Sequence, residues 1–189
     1  MEPSAISLSL ACASADSVMA EIGFPTPAPF AIRSARRDDV SAIHGMIRAL
    51  ADYERLTDLC VATEQDIADA LFSPRPAAEV LLATQDGEPA GFAMFVHNFS
   101  SFLGRRGLWL EDLFVLPAFR RHGAGQALLR ALARIAVERG CGRFEWAVLD
   151  WNRPAIDFYR TLGATVLPEW RIVRVVGPAL TRLAGPPTP

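Results

Sequence analysis

The stretch EDLFVLPAFRRHGAG, Glu111–Gly125, constrains this chain more than any other. With the residues before it, LWLEDLFVL reads as an apolar strand running into Pro117, followed by a short basic segment, two glycines and a helix with apolar residues at helical spacing. The first N–H groups of a helix lack intrahelical partners and the helix dipole adds partial positive charge, so such a turn attracts an anion. Gly123 and Gly125 carry no Cβ, which lets phosphate oxygens approach the backbone, and Arg120 and Arg121 add charge beside it. A diphosphate fits a turn of this kind. A plain tight turn uses the same glycines, so the surroundings decide.

Those surroundings alternate strands with helices. FAIRSA (30–35) reads as a short strand, and Asp38 or Asp39 offers an N-cap to a helix in which Val40, Ile43, Ile47, Leu50 and Ala51 share a face as far as about Tyr53. Thr63, with Asp66 three residues on, makes a variant capping box for EQDIADALF, and Ser73, Pro74 and Pro76 stop that helix. VLLAT (80–84) and GFAMFV (91–96), joined by QDGEP, predict a hairpin, which HNFSSFLGRRG connects to a third antiparallel strand at 108–115. Past the glycines, Leu128, Leu129, Leu132, Ile135 and Ala136 trace a helix face closed by Gly140. RFEWAVL (143–149) predicts a strand, and Pro154 opens a helix that Gly163 ends. ATVL and WRIVRVV predict two last strands before a short helix, PALTRLA. The result is an α/β domain over 30–184, antiparallel in front with a βαβ unit at its centre. Residues 1–29, rich in Ala, Ser and Pro, read as a disordered leader, in which Met19 is an alternative start, and 185–189 as a frayed tail.

Composition narrows the function classes. A net charge of −2 gives no broad basic surface, which argues against nucleic acid. Cys12, Cys60 and Cys141 have neither metal nor redox spacing and suit a reducing cytosol, and His44, His97 and His122 are scattered, so no metal is expected. No apolar run approaches the roughly 18 residues of a membrane span. ISLSLACASA lacks the preceding Lys or Arg of a signal peptide.

Two motifs carry a family resemblance. RRHGAG after a strand matches the R/Q-x-x-G-x-G/A diphosphate loop of the GNAT acetyltransferase superfamily, and DWNRPAIDFYRTLGA, about 30 residues on, resembles its second acetyl-CoA element. ALADYERL (49–56), GFAMF (91–95), FLGRRGLWLEDLFVLPAFR (102–120) and EWRIVRV (169–175) narrow the likeness to the diamine branch, the spermidine/spermine and thialysine acetyltransferases. The resemblance covers roughly residues 30–183. It implies the GNAT fold, a mixed, mostly antiparallel sheet splayed at its central strand and flanked by helices. It also implies acetyl-CoA as co-substrate, no metal, a small amine acceptor, a cytoplasmic location and a homodimer.

The same resemblance assigns roles. Backbone groups of Leu113, Phe114 and Val115 pair with pantetheine. Arg120, Arg121, His122, Gly123, Ala124, Gly125 and Gln126 form the diphosphate loop, and Asn152, Arg153, Pro154, Ala155 and Tyr159 touch the cofactor from its other side. Tyr159 is the general acid for the departing thiolate; by residue type alone it is a core aromatic. Glu111 accepts the amine's proton. Strand alternation sends Glu111 and Asp112 to opposite faces, and an Arg such as Arg105 or Arg106 is the structural alternative as their partner. Tyr53, Glu54, Glu111, Asp112, Glu145, Trp146, Ala147 and Glu169 line the acceptor site. Phe102 stands where spermine-acetylating members carry tryptophan and Ser100 where they carry an acid, which points to thialysine, a short diamine or another small primary amine. Two other readings stay open: a GNAT enzyme for a protein N-terminus, lysine or aminoglycoside, and a non-catalytic acyl-CoA sensor.

Overall fold

The computed structural model describes residues 30–185, so the expected leader and all but the first residue of the expected tail lie outside the described residues. The chain divides into two compact units, one ending at Trp146 and one beginning at Ala147.

The first unit is built on a five-stranded sheet in chain order: β1 (Ala31–Ser34), β2 (Glu79–Gln85), β3 (Glu88–Ser100), β4 (Arg105–Val115) and β5 (Phe144–Trp146). The first four strands run antiparallel, and β5 runs parallel to β4. Its helices are α1 (Val40–Tyr53), α2 (Glu64–Phe72) and α3 (Ala124–Glu138). Alternation along the strands gives the sheet two apolar faces. Val80, Leu82, Phe92 and Phe114 pack with Val40, Ile43 and Met46 of α1 and Ile67, Ala68 and Leu71 of α2. On the opposite face Leu81, Ala93, Phe95, Leu108 and Leu110 are buried, and α3 covers them with Leu128, Leu129 and Leu132.

Local chemistry explains the boundaries. The Thr63 capping box forms in both directions, Asp66 N to Thr63 Oγ1 at 3.2 Å and Thr63 N to Asp66 Oδ2 at 2.8 Å. Asp39 precedes α1 as expected, yet its carboxylate does not cap that helix. It accepts from both terminal nitrogens of Arg33 at 2.7 and 2.8 Å and from Arg36 N at 2.6 Å, closing a 3-10 turn instead. The expected connector HNFSSFLGRRG is mostly ladder, because His97–Ser100 pair with Arg105–Leu108 around a short turn at 101–104. RFEWAVL is strand only over Phe144–Trp146.

The second unit contains α4 (Arg153–Thr161) and α5 (Gly177–Ala184). The two strands expected between them are not formed: residues 164–176 carry no strand, with Trp170, Ile172 and Val173 exposed. A β-branched run becomes a strand only when a neighbour completes its hydrogen-bond ladder, and this unit by itself holds helices and loops.

Candidate functional site

The ladder between β3 and β4 steps over one residue. Leu110 lies opposite Phe95 and Asp112 opposite Met94, so Glu111 is the extra residue of a β-bulge. Cross-strand partners share a face. The bulge therefore turns Asp112 to the face of Phe92 and Phe114, beneath α1, while Leu110 remains on the α3 face. Glu111 stays on the side of Trp109, two residues back, whose indole Nε1 donates to Glu111 Oε2 at 2.8 Å. Simple alternation separates the two carboxylates; the bulge brings them to the same side of the sheet.

Glu54, which ends α1, completes the cluster. Burial pushes the Asp112 carboxyl up to about 6, with repulsion from Glu111 and then from Glu54 adding to it. Burial likewise raises Glu54 above its ordinary range. Among the described residues none of these three carboxylates takes part in an ion pair, so Arg105 and Arg106 do not serve as the partner that the structural alternative required. An unneutralised, partly buried acidic cluster favours a cation, because a positive charge relieves both repulsion and desolvation.

Beside the cluster, β4 has an open edge. β5 follows β4 only over Leu108–Leu110, starting from Leu108 N to Arg143 O at 3.0 Å. The bond from Leu116 N to Ala90 O at 2.9 Å sets the direction of the peptides beyond. Phe114, opposite Phe92, turns its N–H and C=O to β3, while Leu113 and Val115 present theirs to the open side. A Cβ added at Gly91 would stand 2.6 Å from the Phe114 carbonyl oxygen, consistent with that orientation. Of the three backbones expected to pair with pantetheine, Leu113 and Val115 turn away from β3 and Phe114 belongs to the ladder.

The strand then enters the basic turn. Arg121 (φ 66) and Gly123 (φ 93) both adopt the left-handed region. For a non-glycine residue that conformation costs about 1 kcal/mol or more, so the turn is held by its context. Gly123 is the N-cap of α3 and has no side chain to offer, and the first helical bond runs from Ala127 N to Gly123 O at 2.9 Å. The amides of Ala124, Gly125 and Gln126 therefore have no helical acceptor and form a concave donor set, with Arg121 and His122 exposed beside it. Arg120 folds the other way. Its Nε donates to Val115 O at 2.9 Å, and its guanidinium lies 5.3 Å from the Phe114 ring centre and 5.0 Å from that of Tyr53.

Other expected residues fall elsewhere. Glu145 is already ion-paired, its Oε2 lying 2.8 Å from Arg143 Nε, and the neighbouring Trp146 ring lies 4.9 Å from Phe144. In the second unit Asn152 caps α4, its Oδ1 accepting from Ala155 N at a long 3.4 Å, and Arg153 and Pro154 are exposed in the first turn. Tyr159 is half-buried, 5.6 Å from the Phe158 ring, and its carbonyl closes the helix by accepting from Leu162 N and Ala164 N at 3.0 and 3.1 Å. Ala147 and Glu169 are exposed. Sequence reasoning assigned no role to Trp109, although its place two residues before Glu111 is the signal that could have found it. Among the described residues no group of three or more His, Cys, Asp or Glu is placed to hold a metal, and no helix is long and apolar enough to cross a membrane.

Comparison with known proteins agrees with this geometry. The model of the acetyltransferase (GNAT) family matches residues 43–164. The thialysine N-epsilon-acetyltransferase of Sus scrofa is 38% identical, covering 82% of this chain and 96% of its own length. The L-ornithine N5-acetyltransferase of Arabidopsis thaliana is 37% identical over 79% of this chain and 85% of its own. Among solved structures, an integron cassette protein from the mobile metagenome of V. cholerae superposes with a TM-score of 0.71 at 28% identity, over 84% of this chain and 99% of that one. With its amide-lined turn, its strand left open on one edge and these relatives, the chain belongs to the GNAT acetyltransferase family and is an N-acetyltransferase.

Proposed function

We propose that this enzyme acetylates a primary amine of a small diamine or thialysine-like substrate, using acetyl-CoA in direct attack within a ternary complex. One observation carries the choice of acceptor: Glu54, Glu111 and Asp112 form an acidic cluster without an internal cation, beside the open edge of β4. The relatives' names support it, since thialysine and ornithine both carry a side-chain amine besides the α-amino group.

The donor reading rests on fit. Leu113 offers its outward N–H and C=O and Val115 its N–H, and the amides of Ala124, Gly125 and Gln126 offer donors at the mouth of α3, with Arg121 and His122 beside them. These suit a pantetheine amide and a diphosphate respectively. Asn152, Arg153, Pro154 and Ala155 are further residues assigned to the donor. Acetyl-CoA supplies the acetyl group as a thioester.

The chain's own residues then manage protons and charge. An alkylammonium with a pKa near 10 must lose its proton, at about 1.4 kcal/mol for each pH unit below that value. The Glu111–Asp112 pair receives it, directly or through water, and Asp112, raised to about 6, is the better base while still ionised at neutral pH. Glu54 and Tyr53 hold the far end of the acceptor, and Tyr159 gives the thiolate its proton. In this reading the enzyme works in the cytoplasm as a homodimer, with neither nucleic acid nor membrane as partner, and residues 30–184 are the catalytic domain.

The test is thiol release from acetyl-CoA with thialysine, ornithine, lysine, putrescine and spermidine, together with calorimetry of coenzyme A. Diamino substrates should be preferred, and Tyr159→Phe should lower kcat at least about tenfold with little change in the KM for acetyl-CoA. Binding of coenzyme A without release for any amine would favour the sensor reading.

A further inference from the structure

We propose that Arg120, the first residue of the diphosphate motif, is a positioning residue for the amine acceptor rather than a phosphate ligand. The inference rests on the acceptor site proposed above. Three contacts define it. Nε donates to Val115 O at 2.9 Å, and the guanidinium lies over Phe114 at 5.3 Å and over Tyr53 at 5.0 Å. The Val115 carbonyl is the last acceptor on the open edge of β4, so Arg120 fastens the end of the strand on which a donor would lie. Phe114 is buried in the core and gives the guanidinium a rigid floor.

The second ring under the guanidinium is that of Tyr53. It is the last residue of α1 and is 41% exposed. Beyond it Glu54 ends the helix and Arg55 turns left-handed at φ 62, with Leu56 N reaching back to Ala51 O at 2.8 Å. The Tyr53 ring and the Glu54 carboxylate leave α1 side by side in sequence, and Glu54 is one of the charges that Asp112 senses. A cation against one face of the Tyr53 ring fixes the ring. Arg120 thus ties the acceptor-side end of α1 to the donor-side end of β4, and the sequence puts it one residue before the turn that curls the phosphate-facing amides. Lysine is a poor substitute, because an ammonium has neither the plane for stacking on two rings nor an Nε to reach Val115 O at the same time.

The experiment compares Arg120→Met and Arg120→Lys with the parent enzyme. Expected are a KM for thialysine raised about fivefold in both variants, a coenzyme A dissociation constant changed less than about twofold by calorimetry, and no rescue by lysine. Tyr53→Ala should raise the KM similarly, and the double variant Tyr53→Ala, Arg120→Met should be no worse than either single one. Weakened coenzyme A binding with an unchanged KM for thialysine, restored by Arg120→Lys, would overturn the proposal and give the charge to the diphosphate. If the parent enzyme acetylates neither thialysine nor ornithine, the proposed acceptor class fails by itself. The tie is then judged by thermal unfolding of the parent, Tyr53→Ala, Arg120→Met and the double variant, where additive effects of the two substitutions would sink it and strong non-additivity would sustain it.

Discussion

The two halves of strand β4 differ more than any two elements of this fold. Over Leu108–Leu110 the strand has a partner on each side, β3 and β5, and Leu108 and Leu110 are buried. Over Leu113–Val115 β3 is its one ladder partner among the described residues. Between them lies one inserted residue, Glu111. The comparison teaches that a single bulge sits where the β4–β5 ladder stops, and that it regroups two carboxylates on one side of the sheet.

Removing that residue is the most direct way to break the contrast. Deletion of Glu111 should restore a regular ladder through Leu110 and Asp112 and lower kcat/KM by about a hundredfold or more, measured by thiol release. Retained activity would separate the bulge from catalysis.

Asp112→Asn probes the charge cost of the open half. A carboxyl whose folded value lies above its unfolded one favours the native state below the unfolded value and surrenders that advantage as pH rises. For Asp112 the rise from 3.8 to about 6 corresponds to at most about 3 kcal/mol, lost between pH 4 and pH 6. The asparagine variant should therefore be more stable than the parent by about 1–3 kcal/mol at pH 7.5, with the gain vanishing near pH 4 in denaturant titrations, while turnover falls. Equal stability at both pH values would mean that Asp112 carries no such burden.

Gly123→Ala tests the turn that continues the open half. Its φ of 93 is disfavoured for any residue with a Cβ, so coenzyme A affinity and stability should each fall by about 1–2 kcal/mol in calorimetry and thermal unfolding. The smallest effect belongs to Trp109→Phe, which removes the indole donor from Glu111 at an exposed site. The KM for the amine should rise about two- to threefold with stability little changed.

Much of this was legible because the signals are local. The Thr63 box, the glycines at 123 and 140 and the apolar face of α3 each depend on residues within a few positions, and helix boundaries followed from them. The strands were less readable. His97–Ser100 carry polar residues that look like a connector, yet they pair because Arg105–Leu108 stand opposite. ATVL and WRIVRVV look like strands, and no ladder partner accompanies them among the described residues of their unit. Arg120 shows the same split: its neighbours in sequence belong to the RRHGAG turn, while its neighbours in space are Tyr53 and Phe114.

By itself the amino-acid sequence determined the family, the order of helices and strands in the first unit, and the turn between β4 and α3, since these are set by spacing, caps and glycine freedom over short stretches. The tertiary structure alone decided that Glu111 is an inserted residue, that Asp112 shares a side with it and with Glu54, and that Arg120 turns toward α1. Those outcomes depend on cross-strand register and on burial, which are properties of chains brought together from far apart, and no local pattern encodes which residue a ladder will skip.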